Sequence, residues 1–159
     1  MMKITADFHE FTGNGGAGKK VATLLFNPCF HSVCLFRLSN WFYRKHLSVV
    51  AKIIWYINRL LFHVDIDYRA DLAEGFCLVH GLGVVIGKNV KSLGPLTVYQ
   101  GVTLGGTGKV RELPGGEIID QPLLGRNTVI FTNSCIFGPV VTPDNYILKA
   151  GRMLTKDPE

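Results

Sequence analysis

From Asp65 onward, aliphatic side chains recur with a spacing of six. Ile66, Leu72, Leu78, Val84, Val90, Leu96 and Val102 stand in unbroken steps, and the series resumes at Leu124, Ile130 and Ile136. A step of six matches neither the 3.6-residue turn of a helix nor the alternation of a half-buried hairpin. It matches a β-helix, whose short flat strands meet at regular corners and whose every repeat sends one aliphatic residue inward. Gly75, Gly81, Gly87, Asn89, Gly94, Gly125, Asn127 and Asn133 fall near the corners, where such residues suit turns. Three repeats close one triangular coil, so 66–102 supplies about two coils and 124–141 about one more. Between Leu104 and Leu124 the pattern breaks. Five glycines and two prolines in GGTGKVRELPGGEIIDQP predict a loop excursion over 105–123 in place of a strand. Long insertions into a regular scaffold tend to carry binding function.

Residues 21–64 have a different texture and predict two helices. Asn27-Pro28 is an N-cap and first-turn pair opening a segment that runs to about Lys45. In the second segment Ser48, Lys52, Arg59 and His63 form a narrow polar stripe on an apolar rod of Ile53, Ile54, Trp55, Ile57, Leu60 and Leu61. A rod that apolar must cover most of its circumference, against the first helix and other subunits or at a membrane surface. Residues 1–20 read as a flexible leader. Within it Gly13 to Lys20 imitates a phosphate-binding loop. Lys20 stands where that motif needs Ser or Thr and no buried strand precedes it, so nucleotide binding is rejected. The expected organisation is a leader (1–20), a basic apolar helical extension (21–64) and a mainly β domain (65–159).

Charge sharpens this division. The net +5 splits into eight basic against two acidic residues in 1–64, and nine against ten in 65–159. All of the excess lies in the extension, whose aromatics sit in apolar helical runs and not on an open platform, so a nucleic-acid partner is not expected. For 21–64 packing within the oligomer is favoured, and contact with an anionic membrane stays open as the alternative. The four cysteines form no CxxC pair and have no histidines at zinc-ligand spacing, which predicts free thiols in a reducing cytoplasm and no metal. No signal peptide and no run of 18 uncharged apolar residues is evident, so the expected place is the cytoplasm, at the inner face of the membrane.

One histidine, His80, lies within 65–159, in CLVHGLGVVIG. Asp65 precedes it by fifteen residues, and with coils of about eighteen residues the two can meet on adjacent coils. A carboxylate on one imidazole nitrogen would leave the other free as a general base toward a hydroxyl.

From Val64 to Lys109 the chain resembles the serine acetyltransferase branch of hexapeptide-repeat acyltransferases. The resemblance rests on VDI, on the HGxGVVIG run at 80–87 and on YQGVTLGGTGK at 99–109, and it extends weakly to VTPDN at 141–145. It implies a left-handed parallel β-helix, a homotrimer or a hexamer, acetyl-CoA as co-substrate and active sites between neighbouring subunits. It also implies that His80 is the catalytic base, that Asp65 orients it, and that Gly105, Gly106, Thr107, Gly108 and Lys109 lie along the coenzyme. Transfer would then be direct, since no cysteine sits beside a histidine at a motif position.

The departures concern the acceptor. Val79 stands where the family has an aspartate before the histidine. Asp120-Gln121-Pro122 replaces an Arg-His-Pro, leaving Gln121 as the candidate acceptor contact. Without a cation at Asp120 a serine carboxylate has no evident partner. The sequence therefore favours a sugar hydroxyl, in surface-polysaccharide biosynthesis, over serine. Two alternatives stay open: serine O-acetylation for cysteine biosynthesis, and an inactive β-helix scaffold. A carbonic anhydrase on the same fold needs three histidines, and His80 stands alone.

Overall fold

The computed structural model describes residues 2–158, with side chains from Lys3. Four helices, α1 (Met2–Thr12), α2 (Ala17–Phe26), α3 (Pro28–Arg44) and α4 (Ser48–Phe62), precede the β-helix. Asn27 caps α3 by accepting from the Phe30 N–H at 3.1 Å, and Pro28 fills a first-turn position whose missing N–H costs nothing. The Asn58 side chain of α4 donates to the Ser32 carbonyl of α3 at 3.2 Å, and Ser39 donates to the Ala51 carbonyl at 2.7 Å.

Residues 1–20 are corrected from a flexible leader to packed helix within the described span. Asp7 of α1 is fully buried. Its carboxylate accepts from Arg37 Nε at 2.7 Å, from Arg37 Nη2 at 2.9 Å and from the Phe76 N–H at 2.8 Å. Arg37 also donates to the carbonyls of Leu72 and Ala73. One ion pair thus clamps α1 and α3 to the first coil, a long-range contact that local polarity could not show.

The coils themselves are parallel. One face stacks β1 (Asp65–Ile66), β3 (Val85–Ile86), β6 (Thr103–Gly105), β11 (Cys135–Phe137) and β13 (Met153–Leu154). A second stacks β2 (Phe76–Val79), β5 (Leu96–Tyr99), β10 (Thr128–Ile130) and β12 (Ile147–Leu148). The third is shorter, β4 (Lys91–Ser92) on β9 (Leu123–Leu124), extended by bridges at Asp71 and Val141. The coil is left-handed, and it continues past 141 to β13.

Every aliphatic residue of the six-step series is buried, from Ile66 to Ile136. Two positions per repeat point inward, however, so Ile86, Val98 and Leu104 are equally buried. Register explains how the series stays unbroken. Strands are offset by 20 residues before the His80 corner (Asp65↔Val85, Phe76↔Leu96) and by 18 beyond it (Val85↔Thr103). Val79 pairs with Tyr99 and the Gly101 N–H bonds to the Leu82 carbonyl, which confines the two extra residues to 80–82. Across that corner the series passes from one inward position to the other.

The 105–123 excursion is partly strand. β7 (Arg111–Glu112) pairs antiparallel with β8 (Ile118–Ile119), turned by Gly115 and Gly116 at φ of 108° and 84°. Arg111 reaches Asp157 Oδ2 at 2.6 Å, whose other oxygen accepts from the Val141 N–H.

Candidate active site

His80 follows the last residue of β2 and occupies the lengthened corner with a left-handed backbone, φ 55°. Its imidazole is exposed to a cleft of about 260 Å³. The opposite wall comes from the helices: Cys29 and Ser32 of α3, Phe62 of α4, and His63, which ends α4 in the same left-handed region at φ 55°. The two walls are sewn together. The Gly83 N–H donates to the His63 carbonyl at 3.0 Å, and the Gly81 N–H donates to Cys29 Sγ at 3.3 Å. Ser32 is fully buried and its Oγ has no hydrogen-bond partner.

Asp65 does not meet His80 within one chain. Its Oδ1 accepts from Trp55 Nε1 at 3.0 Å and its Oδ2 pairs with Arg59 Nη1 at 3.1 Å. The expected dyad assumed an eighteen-residue coil. With the first coil two residues longer, Asp65 faces the end of α4 and braces the junction of helix and coil.

Nor does Gln121 reach the cleft. Its Oε1 accepts from the Asn89 N–H at 3.3 Å and covers Gly87, while Asp120 accepts from Asn89 Nδ2 at 2.9 Å. Asn89, Asp120 and Gln121 form a structural clamp between coils. The glycine loop runs on from β6, with Gly106, Thr107, Gly108 and Lys109 exposed. Gly108 adopts φ 78° with open space about it, and a side chain at Gly106 would press on the Asp120 carbonyl. Such a bare, exposed backbone permits close approach by a ligand. None of residues 105–109 lines the His80 cleft.

Burial pushes the Cys77 thiol up to about 12 and raises that of Cys34. Among the described residues no group of three His, Cys, Asp or Glu side chains is placed to hold a metal ion. A larger open groove of about 720 Å³ runs between α1 and the coil edges, but it contains no histidine or cysteine and its Lys3 pairs with Asp71.

In its left-handed coil, its six-residue repeat and its histidine corner the chain is similar to the hexapeptide-repeat acyltransferases. No family model matches it. The relatives it does match carry a more particular name. A serine acetyltransferase of Synechococcus elongatus is 32% identical over 97% of this chain and 61% of its own length. The serine acetyltransferase of Neisseria gonorrhoeae, solved in complex with serine, superposes with a TM-score of 0.84 at 26% identity, over 98% of this chain and 62% of that one. A serine acetyltransferase solved with CoA has the same fold, with a TM-score of 0.84 at 21% identity, over 99% and 63% of the two chains. The chain therefore spans about three fifths of the length of these relatives.

Proposed function

We propose that the protein is an acetyl-CoA-dependent O-acetyltransferase of the serine acetyltransferase type, with serine as its acceptor. The observation that carries the chemistry is His80, an exposed imidazole on the irregular corner, facing a cleft of mostly apolar walls. The serine reading draws on relatives that bear that name and on a similar protein seen with serine.

In this reading the acceptor hydroxyl lies at His80, whose imidazole takes its proton as the oxygen becomes nucleophilic. Gly105 to Lys109 would hold the coenzyme, with backbone N–H groups free to polarise the thioester carbonyl. Acetyl-CoA supplies the activated acyl group. Because the loop and the cleft do not meet in one chain, the site closes between neighbouring copies, and a homotrimer is the assembly we propose. Contact of the basic helices with an anionic membrane, and a cytoplasmic setting, belong to the same proposal.

A second reading has a specific basis. Val79 beside His80 and the clamped Asp120 offer an acceptor carboxylate nothing, which favours a saccharide hydroxyl. Thiol release from acetyl-CoA, measured with L-serine and with a panel of sugars, separates the two. Turnover of serine well above the sugars is expected, and His80→Ala should reduce it by at least ~10²-fold. A preference for sugars would overturn the acceptor, and full activity in the variant would overturn the base.

A further inference from the structure

Resting on the serine reading, we propose that His63 anchors the carboxylate of the acceptor in the His80 cleft, with Ser32 Oγ as a second hydrogen-bond donor. The sequence alone gave His63 no role beyond a polar position on α4.

Four observations converge on it. The cleft holds two imidazoles, His63 and His80, and no acidic side chain lines it, so an anion entering meets no repulsion. No Lys or Arg lines the cleft, and Arg59 of the same helix is paired with Asp65, which leaves His63 as a donor on that wall. His63 is also pinned on both sides, its N–H to the Arg59 carbonyl at 3.1 Å and its carbonyl to the Gly83 N–H at 3.0 Å. The His63 backbone is thus fixed in place beside the His80 corner.

The third observation is conformational. Left-handed backbone is unfavourable for an ordinary L-residue, and glycine or asparagine ends most helices that need it. The later coil corners obey this, with Asn127, Asn133 and Asn145 at φ of 55° to 59°. Histidine takes such a position three times, at His46 in the turn between α3 and α4 and at His63 and His80, and the last two share one cavity. Finally, Ser32 is fully buried in the cleft wall with its hydroxyl unpaired, a cost that a bound oxygen acceptor would remove. The two donors lie on the helical wall and the base on the coil wall. An amino acid held by its carboxylate would then extend its hydroxyl toward His80.

The test is His63→Gly in the full-length protein, because glycine takes a left-handed helix end without strain. The parent is first assayed on L-serine and on serinamide, which lacks the charged carboxylate. In the variant, KM for serine should rise about tenfold or more, with kcat changed less than about threefold and KM for acetyl-CoA unchanged, as loss of a charge-assisted hydrogen bond predicts. The preference for serine over serinamide should collapse, and Ser32→Ala should erode it partly. A preference that survives in His63→Gly, or a fall in both substrates alike, overturns the anchor. If the parent itself ignores serine and acetylates sugars, the acceptor reading fails before any variant is made, and the anchor falls with it.

Discussion

Asp7 shows how much one side chain decides here. Its carboxylate satisfies two guanidinium nitrogens and the first N–H of β2, so both charges are buried but fully bonded. Removing one partner strands the other: Asp7→Ala is expected to cost about 3–5 kcal/mol, read from urea unfolding, while exposed Glu10→Ala should be near neutral. A loss under about 1 kcal/mol would show that α1 is not clamped. At this scale the sequence announced His80, because a lone histidine amid small residues stands out. It did not announce Asp7, whose meaning depends on Arg37 and Phe76, 30 and 69 residues away. Asp65 was legible as a candidate but not as to its partner, since its place relative to His80 turns on two extra residues that periodicity conceals.

Among the elements, the β7–β8 hairpin is tied down where Glu117 pairs with Lys91 of β4 and where Arg111 meets Asp157 beside β13. Although burial works against it, hydrogen bonds from the Val141 N–H and from Arg111 hold the Asp157 carboxyl below its ordinary value. A lowered folded value means that the contact contributes above the ordinary carboxylate range and is lost as pH falls through the folded value. Hydrogen exchange at Val141 and in the hairpin should therefore accelerate only in that acid range. Asp157→Asn should show the fast exchange already at neutral pH, with little change in melting temperature. Exchange indifferent to the substitution would dismiss the tie. The hairpin strands escaped the sequence reading because glycine and proline density marks turns and says little about two-residue strands between them. The cleft was hidden for a related reason: its walls come from α3, α4 and the corner after β2, which only the closed fold brings together.

For the whole molecule, the notable surface is the outer side of α4. Val49, Ile53, Tyr56 and Leu60 recur at helical spacing and are all more than half exposed, with Lys52 beside them. No single helix among the described residues is long and apolar enough to cross a membrane. A second copy brought face to face would set the same cations against each other, whereas an anionic lipid surface would not. Light scattering should give three times the mass of one chain. Ile53→Asp is expected to leave that trimer intact and to lower pelleting with anionic vesicles, which high salt should also weaken. Dissociation of the trimer by Ile53→Asp would assign the stripe to contact between copies.

The lengthened corner at His80 also bears on how such a protein can change. In a barrel or a sandwich, added residues propagate through shared registers. Here the offset returns to 18 between Val85 and Thr103, and it returns to 18 again in the last coils, after the 105–123 excursion has widened it to 32. Corners are thus separable slots, open to insertion one at a time without disturbing the stack. The slot after β5 is the nearest unmodified neighbour, and its sequence, Gln100-Gly101, is what this corner would resemble without its two added residues. One turn can therefore be recut while the scaffold is kept.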